Sequence, residues 1–421
     1  MSRGSLLFSP KKMRRSLVII LGLATFAVTW TLLSRSCAEN VDLPAEAAKT
    51  PANSEPSPAR SAQDIAFGGI WLRGSKADAL KNFPIGSRYA MQGGDDKKAA
   101  EWSRKLLASL RKQQKPDGIR LVDRMAADDF QPQASSGRAM VMACAINYEH
   151  SETTMAAGKR KIFAEVGFDL ILCNFADRNV VFTLPCRLQY VDLGSGPEKS
   201  AAMLTDLYET ELIAQFSKLA TFNWSGNLAF STVGISKITI FPEARQRFPN
   251  WMQEHPEEYY SQLLSSCFCE SVGIPVTPFS RGQEAVYFGL REKLCDASTL
   301  ESKRIQEQSS DGVGFILKKP DYQLELVVPG FQEVIAQRTE LGSTGQHCAY
   351  SRIIVKGADG AELSSEKYDG NVTSILTRGD RLQPVWLSSV DATGKMFTVA
   401  AGSIKKSKSS ALKRMVAECA P

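Results

Sequence analysis

The sequence predicts a mixed α/β protein (α+β) in which a β-meander is followed by α/β alternation in a mixed sheet with flanking helices. Three observations predict it. Apolar and polar residues alternate with period two between residues 138 and 193, as in half-buried strands. Helical and strand patterns then alternate from residue 198 to 294, and from residue 322 the chain returns to strands.

The first 38 residues predict an export signal. A basic head runs into an apolar segment, residues 17–33, and small residues follow at cleavage spacing, Ser36 and Ala38. Three interpretations remain open: a cleaved signal peptide, an uncleaved signal anchor, and a lipoprotein signal acylated on Cys37. The third is disfavoured because Arg35 stands where lipoprotein signals carry a small residue. We therefore expect an exported protein of the periplasm or cell envelope, tethered to the membrane if the segment is retained.

Beyond this leader the chain divides into four segments. Residues 39–63 are rich in Ala, Pro, Ser and Glu without an apolar period, which predicts a flexible tether. Residues 64–132 are predicted as an N-terminal helical region, because apolar positions from Trp102 to Leu110 recur every four residues. Residues 133–400 are the predicted main α/β body, and residues 401–421 a basic amphipathic C-terminal helix.

The body begins with a predicted meander. A strand from Ala139 to Tyr148 precedes a long hairpin, whose alternating strands run from Ile162 to Leu172 and from Val180 to Tyr190. Helices are then predicted at 198–221, from Pro256 to Gly273, and onward to Leu294, with a strand at 235–241. The remaining predicted strands are 322–329, 349–356, 361–368, 383–389 and 396–400.

Charge excludes one class of partner. Since the first 38 residues hold six of the 51 basic residues and none of the 45 acidic ones, the remainder carries 45 of each. A body of zero formal charge has no overall field to attract phosphate backbones. We expect no nucleic acid partner.

The chain shows no motif of a known catalytic or cofactor chemistry. It lacks a Gly-x-Ser-x-Gly nucleophile elbow, a P-loop, a dinucleotide fingerprint and a His-Glu-x-x-His motif. The three histidines, His150, His255 and His347, lie in or beside predicted loops, where a histidine is usually solvated. We expect no cofactor and no metal site, and favour a protein that is not an enzyme.

Eight cysteines remain after the leader, an even number that fits disulfide bonds in an exported protein. Two of them, Cys173 and Cys186, lie on the facing strands of the predicted hairpin, although a tight turn would leave them several residues out of register. Cys267 and Cys269 lie two residues apart on a predicted helix, so their side chains point in different directions and cannot bind the same metal ion. The disulfide candidates are Cys173, Cys186, Cys267, Cys269, Cys295 and Cys348.

Two groups of side chains are candidates for a partner surface. The first is the aromatic cluster of Trp251, Tyr259 and Tyr260, a pattern that core packing also produces. The second is the basic face of the C-terminal helix, which is either simply solvated or contacts an anionic partner. Its residues are Lys405, Lys406, Lys413 and Arg414.

Three motifs between residues 201 and 370 carry a resemblance. They are Gly273-Ile274-Pro275, the strand from Tyr322 to Val328 with Gly330-Phe331-Gln332-Glu333, and the turn and strand from Asp359 to Ser365. In this order the segment resembles the periplasmic α/β domain of the curli-secretion-channel lipoproteins and their TolB-N-terminal-like relatives. The resemblance implies an envelope assembly or scaffold role through protein contacts. The chain departs from that family in lacking a lipobox and a pair of amphipathic membrane strands.

We therefore expect a non-enzymatic assembly, scaffold or binding module of the cell envelope. Its expected partners are other envelope proteins, further copies of the chain, and the membrane through the N-terminal segment if that is uncleaved. The alternative is an exported hydrolase or transferase whose active-site residues are dispersed along the sequence.

Overall fold

Two β-sheets with flanking helices make up the described part of the chain, which is a mixed α+β fold as the sequence predicts. The computed structural model describes residues 63–90, 96–113, 119–122, 140–156, 159–174, 178–194, 196–219, 231–249, 252–253, 255–277, 279, 284–288, 313–339, 342–377 and 385–419. The predicted leader and nearly all of the predicted tether lie outside these residues. No helix among them is long and apolar enough to cross a membrane.

The strands of the first sheet are β1 (Gln63–Arg73), β2 (Ile119–Val122), β3 (Met140–Ala156), β4 (Lys159–Asn174), β5 (Asn179–Leu193), β8 (Glu284–Phe288) and β9 (Val313–Leu317). Those of the second sheet are β6 (Val233–Ile240), β7 (Val276–Thr277), β10 (Tyr322–Thr339), β11 (Gly342–Lys356) and β12 (Glu362–Thr377). The helices are α1 (Lys76–Asn82), α2 (Asp96–Gln113), α3 (Pro197–Asp206), α4 (Leu212–Leu219), α5 (Pro242–Arg245), α6 (Pro256–Val272), α7 (Val385–Lys405) and α8 (Ser410–Cys419).

The first sheet has the strand order β2-β1-β3-β4-β5-β9-β8, and β8 also pairs with β1. Six strands therefore form a closed ring. Its interior is apolar, with Trp71 of β1 stacked on Phe315 of β9 at 5.4 Å between ring centroids. The opposite side of the central strands packs on α2, α3 and α4, where Trp102 donates a hydrogen bond from its indole nitrogen to the carbonyl oxygen of Tyr208 (2.9 Å).

The second sheet has the order β12-β11-β10-β6-β7, and one of its faces packs on α6, α7 and α8. Helix α6 is buried on nearly every side between the sheets, which explains why its sequence shows little amphipathic contrast. It ends at Gly273, whose φ of 83° is the left-handed conformation that favours glycine. The two sheets thus share α6 as a common packing element.

The structure confirms the predicted meander as β3, β4 and β5 and corrects three other elements. The range 64–132 contributes β1 and β2 to the first sheet besides its helices, because β1 pairs with β3 in the interior. Of the strands predicted at 383–389 and 396–400, residues 385–389 and 396–400 are instead parts of α7, and residues 383 and 384 lie outside the described residues. Residues 284–288 form β8, inside the range predicted as a helix up to Leu294, because they pair with β1 and β9.

Candidate binding surface

The second sheet buries one face and exposes the other. Along β11 the residues Ala349, Ile353 and Val355 are at most 1% exposed and face the helices. Successive side chains of a strand point to opposite faces, so the intervening residues form the outer face. We call this outer face of β6, β10, β11 and β12 the open face.

Apolar side chains run along the middle of the open face. Tyr350 is 37% exposed and Val334 41%, while Val327 and Ile354 are partly exposed. The Tyr350 hydroxyl donates a hydrogen bond to Oε1 of Gln332 (2.8 Å), which holds the ring across β10. An aromatic side chain fixed in this way offers contact area at little further entropic cost.

Charged groups border this apolar stripe. Nζ of Lys356 lies 2.6 Å from Oε1 of Glu325, and Nε of Arg352 donates to the hydroxyl oxygen of Ser365 at 2.7 Å. Lys367 of β12 lies directly opposite Arg352 in the strand register. The open face therefore combines an apolar centre with a polar rim, which is the usual composition of a protein–protein contact.

A second cluster of polar groups is buried between the first sheet and α6. Glu165 of β4 is 0% exposed, and its carboxylate accepts hydrogen bonds from Nε of Arg187, from the Tyr148 hydroxyl (2.5 Å) and from the Tyr259 hydroxyl (3.3 Å). The three donors lie on β5, β3 and α6. Burial and the negative charge of Glu165 raise the pKa of both tyrosines well above the usual value.

The local sequence explains how Tyr148 reaches Glu165. A bulge between Ile146 and Tyr148 shifts the register of β3, so that Tyr148 lies opposite Gly167. A Cβ at Gly167 would lie 2.2 Å from the tyrosine ring. Glycine at this position therefore leaves the space that the ring occupies.

Asp169 and Gln262 form a neighbouring pair. Asp169 is 1% exposed, and its Oδ1 accepts a hydrogen bond from the Gln262 amide at 2.9 Å; Asn147 in turn donates to Gln262 at 2.9 Å. Burial raises the pKa of Asp169 to about 6, although hydrogen bonds from Asn147 and Gln262 oppose the change. Burial also raises the pKa of Asp391 of α7, against the effect of Arg187.

These buried groups connect elements of the fold and are not arranged as a reaction centre. The Glu165 carboxylate is occupied by three donors and has no exposed surface. A crevice lined by Phe248, Tyr260 and Phe331 has a volume of about 190 Å³, below the roughly 300 Å³ at which small-molecule pockets begin. Among the described residues, no group of three or more His, Cys, Asp or Glu side chains could hold a metal ion.

The described disulfide candidates are free thiols in the structure. In the hairpin register Cys173 lies opposite Val180 and Cys186 opposite Phe168, so the two cysteines do not face each other. Cys267 and Cys269 are buried on α6, and Cys348 is half-buried on the open face. Cys295 lies outside the described residues. None of the five described candidates forms a disulfide in the structure, and the expected disulfides stay a prediction.

The aromatic candidates for a partner surface belong to the core. Tyr259 is 4% exposed and Tyr260 1% exposed, because both lie on α6 between the sheets. Their assignment to an exposed surface is therefore wrong, while Trp251 lies outside the described residues. The four basic candidates are exposed, as predicted for a solvated face: Lys405, Lys406, Lys413 and Arg414.

Two of the basic candidates contact other groups. Nζ of Lys405 donates to the carbonyl oxygen of Ser271 at 3.1 Å, and Nε of Arg414 lies 2.6 Å from Oε1 of Glu418. His347, expected in a loop, lies on β11 and is 2% exposed, and burial lowers its pKa. The open-face residues Tyr350 and Arg352 were missed, although the alternation along β11 could have identified them.

Comparison with known proteins yields similarities of structure only. No protein-family model matches the chain, and no curated protein is similar to it in sequence. A neuraminyllactose-binding hemagglutinin homologue from Helicobacter pylori matches at 12% identity, covering 40% of this chain and 91% of its own, with a TM-score of 0.23. A DUF330 protein from Xanthomonas campestris matches at 11% identity, covering 42% and 86%, with a TM-score of 0.18.

A hypothetical protein from Chlamydia trachomatis matches at 8% identity, covering 45% of this chain and 95% of its own, with a TM-score of 0.21. Neither a family nor a function follows from similarities of this size.

Proposed function

We propose that the protein is an exported component of the cell envelope that acts as a non-enzymatic binding or scaffold module. The observation that carries the proposal is the open face, where Tyr350 and Val334 are exposed between charged side chains. The export signal predicted for residues 1–38 and the resemblance of residues 201–370 to curli-secretion-channel lipoproteins support an envelope location. The partner is another envelope protein that covers the open face.

The composition of the open face supports a protein partner in particular. Tyr and Arg are enriched at protein contacts, and here Tyr350 and Arg352 lie two residues apart on the same face of one strand. A flat sheet provides no concave pocket that would enclose a small molecule. The fixed Tyr350 ring is the expected centre of the contact.

Photo-cross-linking in the native host tests this function. A photo-reactive phenylalanine analogue replaces Tyr350 in one variant and Val334 in another. Leu80 of α1 serves as the matched control, because it is 41% exposed and its helix packs on the core of the first sheet through Ala79. We expect one adduct, recovered from the envelope fraction, at both test positions and none at Leu80. A cytoplasmic location, or the same adduct from Leu80, would contradict the proposal.

A substitution series supplies the second half of the test. Tyr350→Ala and Arg352→Glu are expected to reduce the adduct formed at Val334 at least about tenfold, since truncation of a central contact residue commonly costs more than 1 kcal/mol. Lys76→Glu, a charge reversal at an exposed residue of α1, should leave the yield unchanged. An unchanged yield in all three variants would exclude the open face as the contact.

A further inference from the structure

Strand β12 forms one edge of the second sheet. It spans 16 residues and pairs with β11 along its whole length. In the part of the chain that the structure describes, no strand pairs with its other side. Such an edge presents a row of backbone N–H and C=O groups that can pair with a further strand.

Helix α7 places an apolar side chain beside this edge. Gly370 of β12 packs so closely on α7 that a Cβ would lie 2.2 Å from the carbonyl oxygen of Ala392 and 2.8 Å from Met396. Val399 lies seven residues after Ala392 and three after Met396, hence on the same side of the helix. It is 58% exposed, so the row of α7 that faces β12 ends in an uncovered valine.

The sequence of β12 is self-complementary in charge. Lys367 and Asp369 lie on its outer side, two residues apart, and Tyr368 lies between them on the inner side. Tyr368 packs on the core of the second sheet, which fixes this orientation. On β11, Arg352 lies opposite Lys367 and Tyr350 lies opposite Asp369, so neither charge faces a group of opposite charge across that ladder.

We infer that a second copy of the chain pairs its β12 with this edge, antiparallel and about a two-fold axis normal to the sheet. Such an axis keeps every outward side chain on the outer face, and residues that oppose each other across the two strands then share a face. The axis must therefore pass midway between the two copies of one residue, which we call the residue at the axis. An axis through Lys367 would oppose two lysines, and one through Asp369 would oppose two aspartates. An axis through Tyr368 places Lys367 of each copy opposite Asp369 of the other.

The register through Tyr368 also sets the contacts on the inner side. Glu366 of one copy then faces Gly370 of the other, where the backbone of α7 at Ala392 takes the place of a side chain. Opposite-charge pairs directly across an antiparallel ladder stabilise it, and like charges destabilise it. The result is one continuous sheet of ten strands that joins the two five-stranded sheets as an isologous dimer.

The opposing interpretation is that the same charges keep the edge unpaired, since lysine on an edge strand commonly prevents association. Charge exchange separates the two. In the Lys367→Glu dimer, a glutamate of each copy faces Asp369 of the other, so both pairs repel. In the double variant Lys367→Glu with Asp369→Lys, a glutamate of each copy faces a lysine of the other, so both pairs attract again. Both positions are exposed, so the variants are expected to fold.

The experiment is sedimentation and light scattering on the full chain as purified from its host, in detergent if the leader is retained. We expect a concentration-dependent dimer, dissociation at least about tenfold stronger in Lys367→Glu, and recovery in the double variant. Lys76→Glu, a charge reversal at an exposed residue of α1, should match the native protein. A monomer at all concentrations, or a dimer that Lys367→Glu leaves intact or that the double variant does not recover, overturns the inference.

Cysteine cross-linking tests the register itself. With Cys348→Ser as background, Tyr368→Cys places two cysteines at the axis, within the roughly 4.4–6.8 Å between Cα atoms that a disulfide needs. Thr373→Cys places them about 34 Å apart, because ten residues separate the two positions along the ladder at a rise of about 3.4 Å per residue. Oxidation should trap a dimer in the first variant only. A trapped dimer at Thr373, or none at Tyr368, overturns the proposed register. Because purified protein suffices, failure here leaves the test of the open face unaffected.

Discussion

Asp169 shows how burial sets the chemistry of a single residue in this protein. Its carboxyl group lies on β4 beneath α6 and is 1% exposed. Gln262 donates to Oδ1, while Oδ2 has no hydrogen-bond partner among the described residues. A buried carboxylate with one satisfied oxygen is costly in its charged form, so its pKa rises to about 6.

This pKa predicts how the stability of the protein depends on pH. An aspartate in the unfolded chain titrates near 3.9, so between about pH 4 and pH 6 the folded state retains a proton that the unfolded state has released. The folded state binds more protons in this window, and the free energy of unfolding therefore falls as pH rises. Over this window Asp169 lowers the free energy of unfolding by on the order of 3 kcal/mol, at about 1.4 kcal/mol per pH unit.

Asp169→Asn removes this titration. We expect the variant to lose the part of the decline between pH 4 and pH 6 that the native protein shows, while Asp369→Asn on the surface retains it. Urea unfolding at four pH values across the window measures the difference. Parallel curves for the native protein and Asp169→Asn would show that Asp169 does not carry the effect.

Single residues also show what the sequence could not predict about the site. Glu165, Arg187, Tyr148 and Tyr259 lie on four different elements, and only the register of the sheet and the placement of α6 bring them together. The aromatic pattern at Tyr259 and Tyr260 was ambiguous because a helix buried on all sides lacks the polar stripe that would mark an exposed face. Local pattern therefore identified the helix but not its surroundings.

At the level of elements, strong periodicity was sufficient for β3, β4 and β5 and insufficient for α7. The alternating apolar residues of β4, from Ile162 to Leu172, all lie in one core cluster, as the pattern predicts, although β4 also buries its other face. Helix α7 was predicted as two strands, and the second of them, 396–400, contains Thr398 and Val399, residue types that favour strands. Its buried residues Val390, Phe397 and Ile404 recur every seven residues, which is two helical turns, and Gly394 lies one turn after Val390 where an apolar side chain would have marked the helix.

The contact between α7 and β12 makes a prediction for two glycines. Gly370→Ala adds a methyl group 2.2 Å from the carbonyl oxygen of Ala392, and we expect a loss of about 1–3 kcal/mol in the free energy of unfolding. Gly402→Ala, within α7, meets nothing within 4 Å and should stabilise by up to about 1 kcal/mol through helix propensity. Thermal unfolding of both variants measures the changes. Equal effects of the two substitutions would contradict the close packing at Gly370.

At the level of the whole molecule, the free thiols show that packing, without disulfides, holds the described cores together. Secreted proteins with small cores commonly depend on disulfides, but a body with two extended cores does not need them. The described cysteines other than Cys348 are buried as small apolar side chains. Burial raises the pKa of Cys267 to about 11 and of Cys269 to about 12, which suppresses the reactive thiolate.

The distribution of these thiols predicts an order of alkylation in the native protein. At pH 8 we expect Cys348, half-buried on the open face, to react with iodoacetamide well before Cys173, Cys186 or the two α6 cysteines, which should react only after unfolding. Peptide mapping by mass spectrometry, before and after denaturation and without reduction, follows each cysteine separately. Cys348→Ser removes the early-labelled peptide as a control.

A disulfide-linked peptide containing Cys186 or Cys269, or early labelling of either cysteine, would show that the two cores are less closed than the structure implies. Bound partner on the open face should slow the labelling of Cys348 and leave the buried thiols unchanged, which connects this order to the proposed contact.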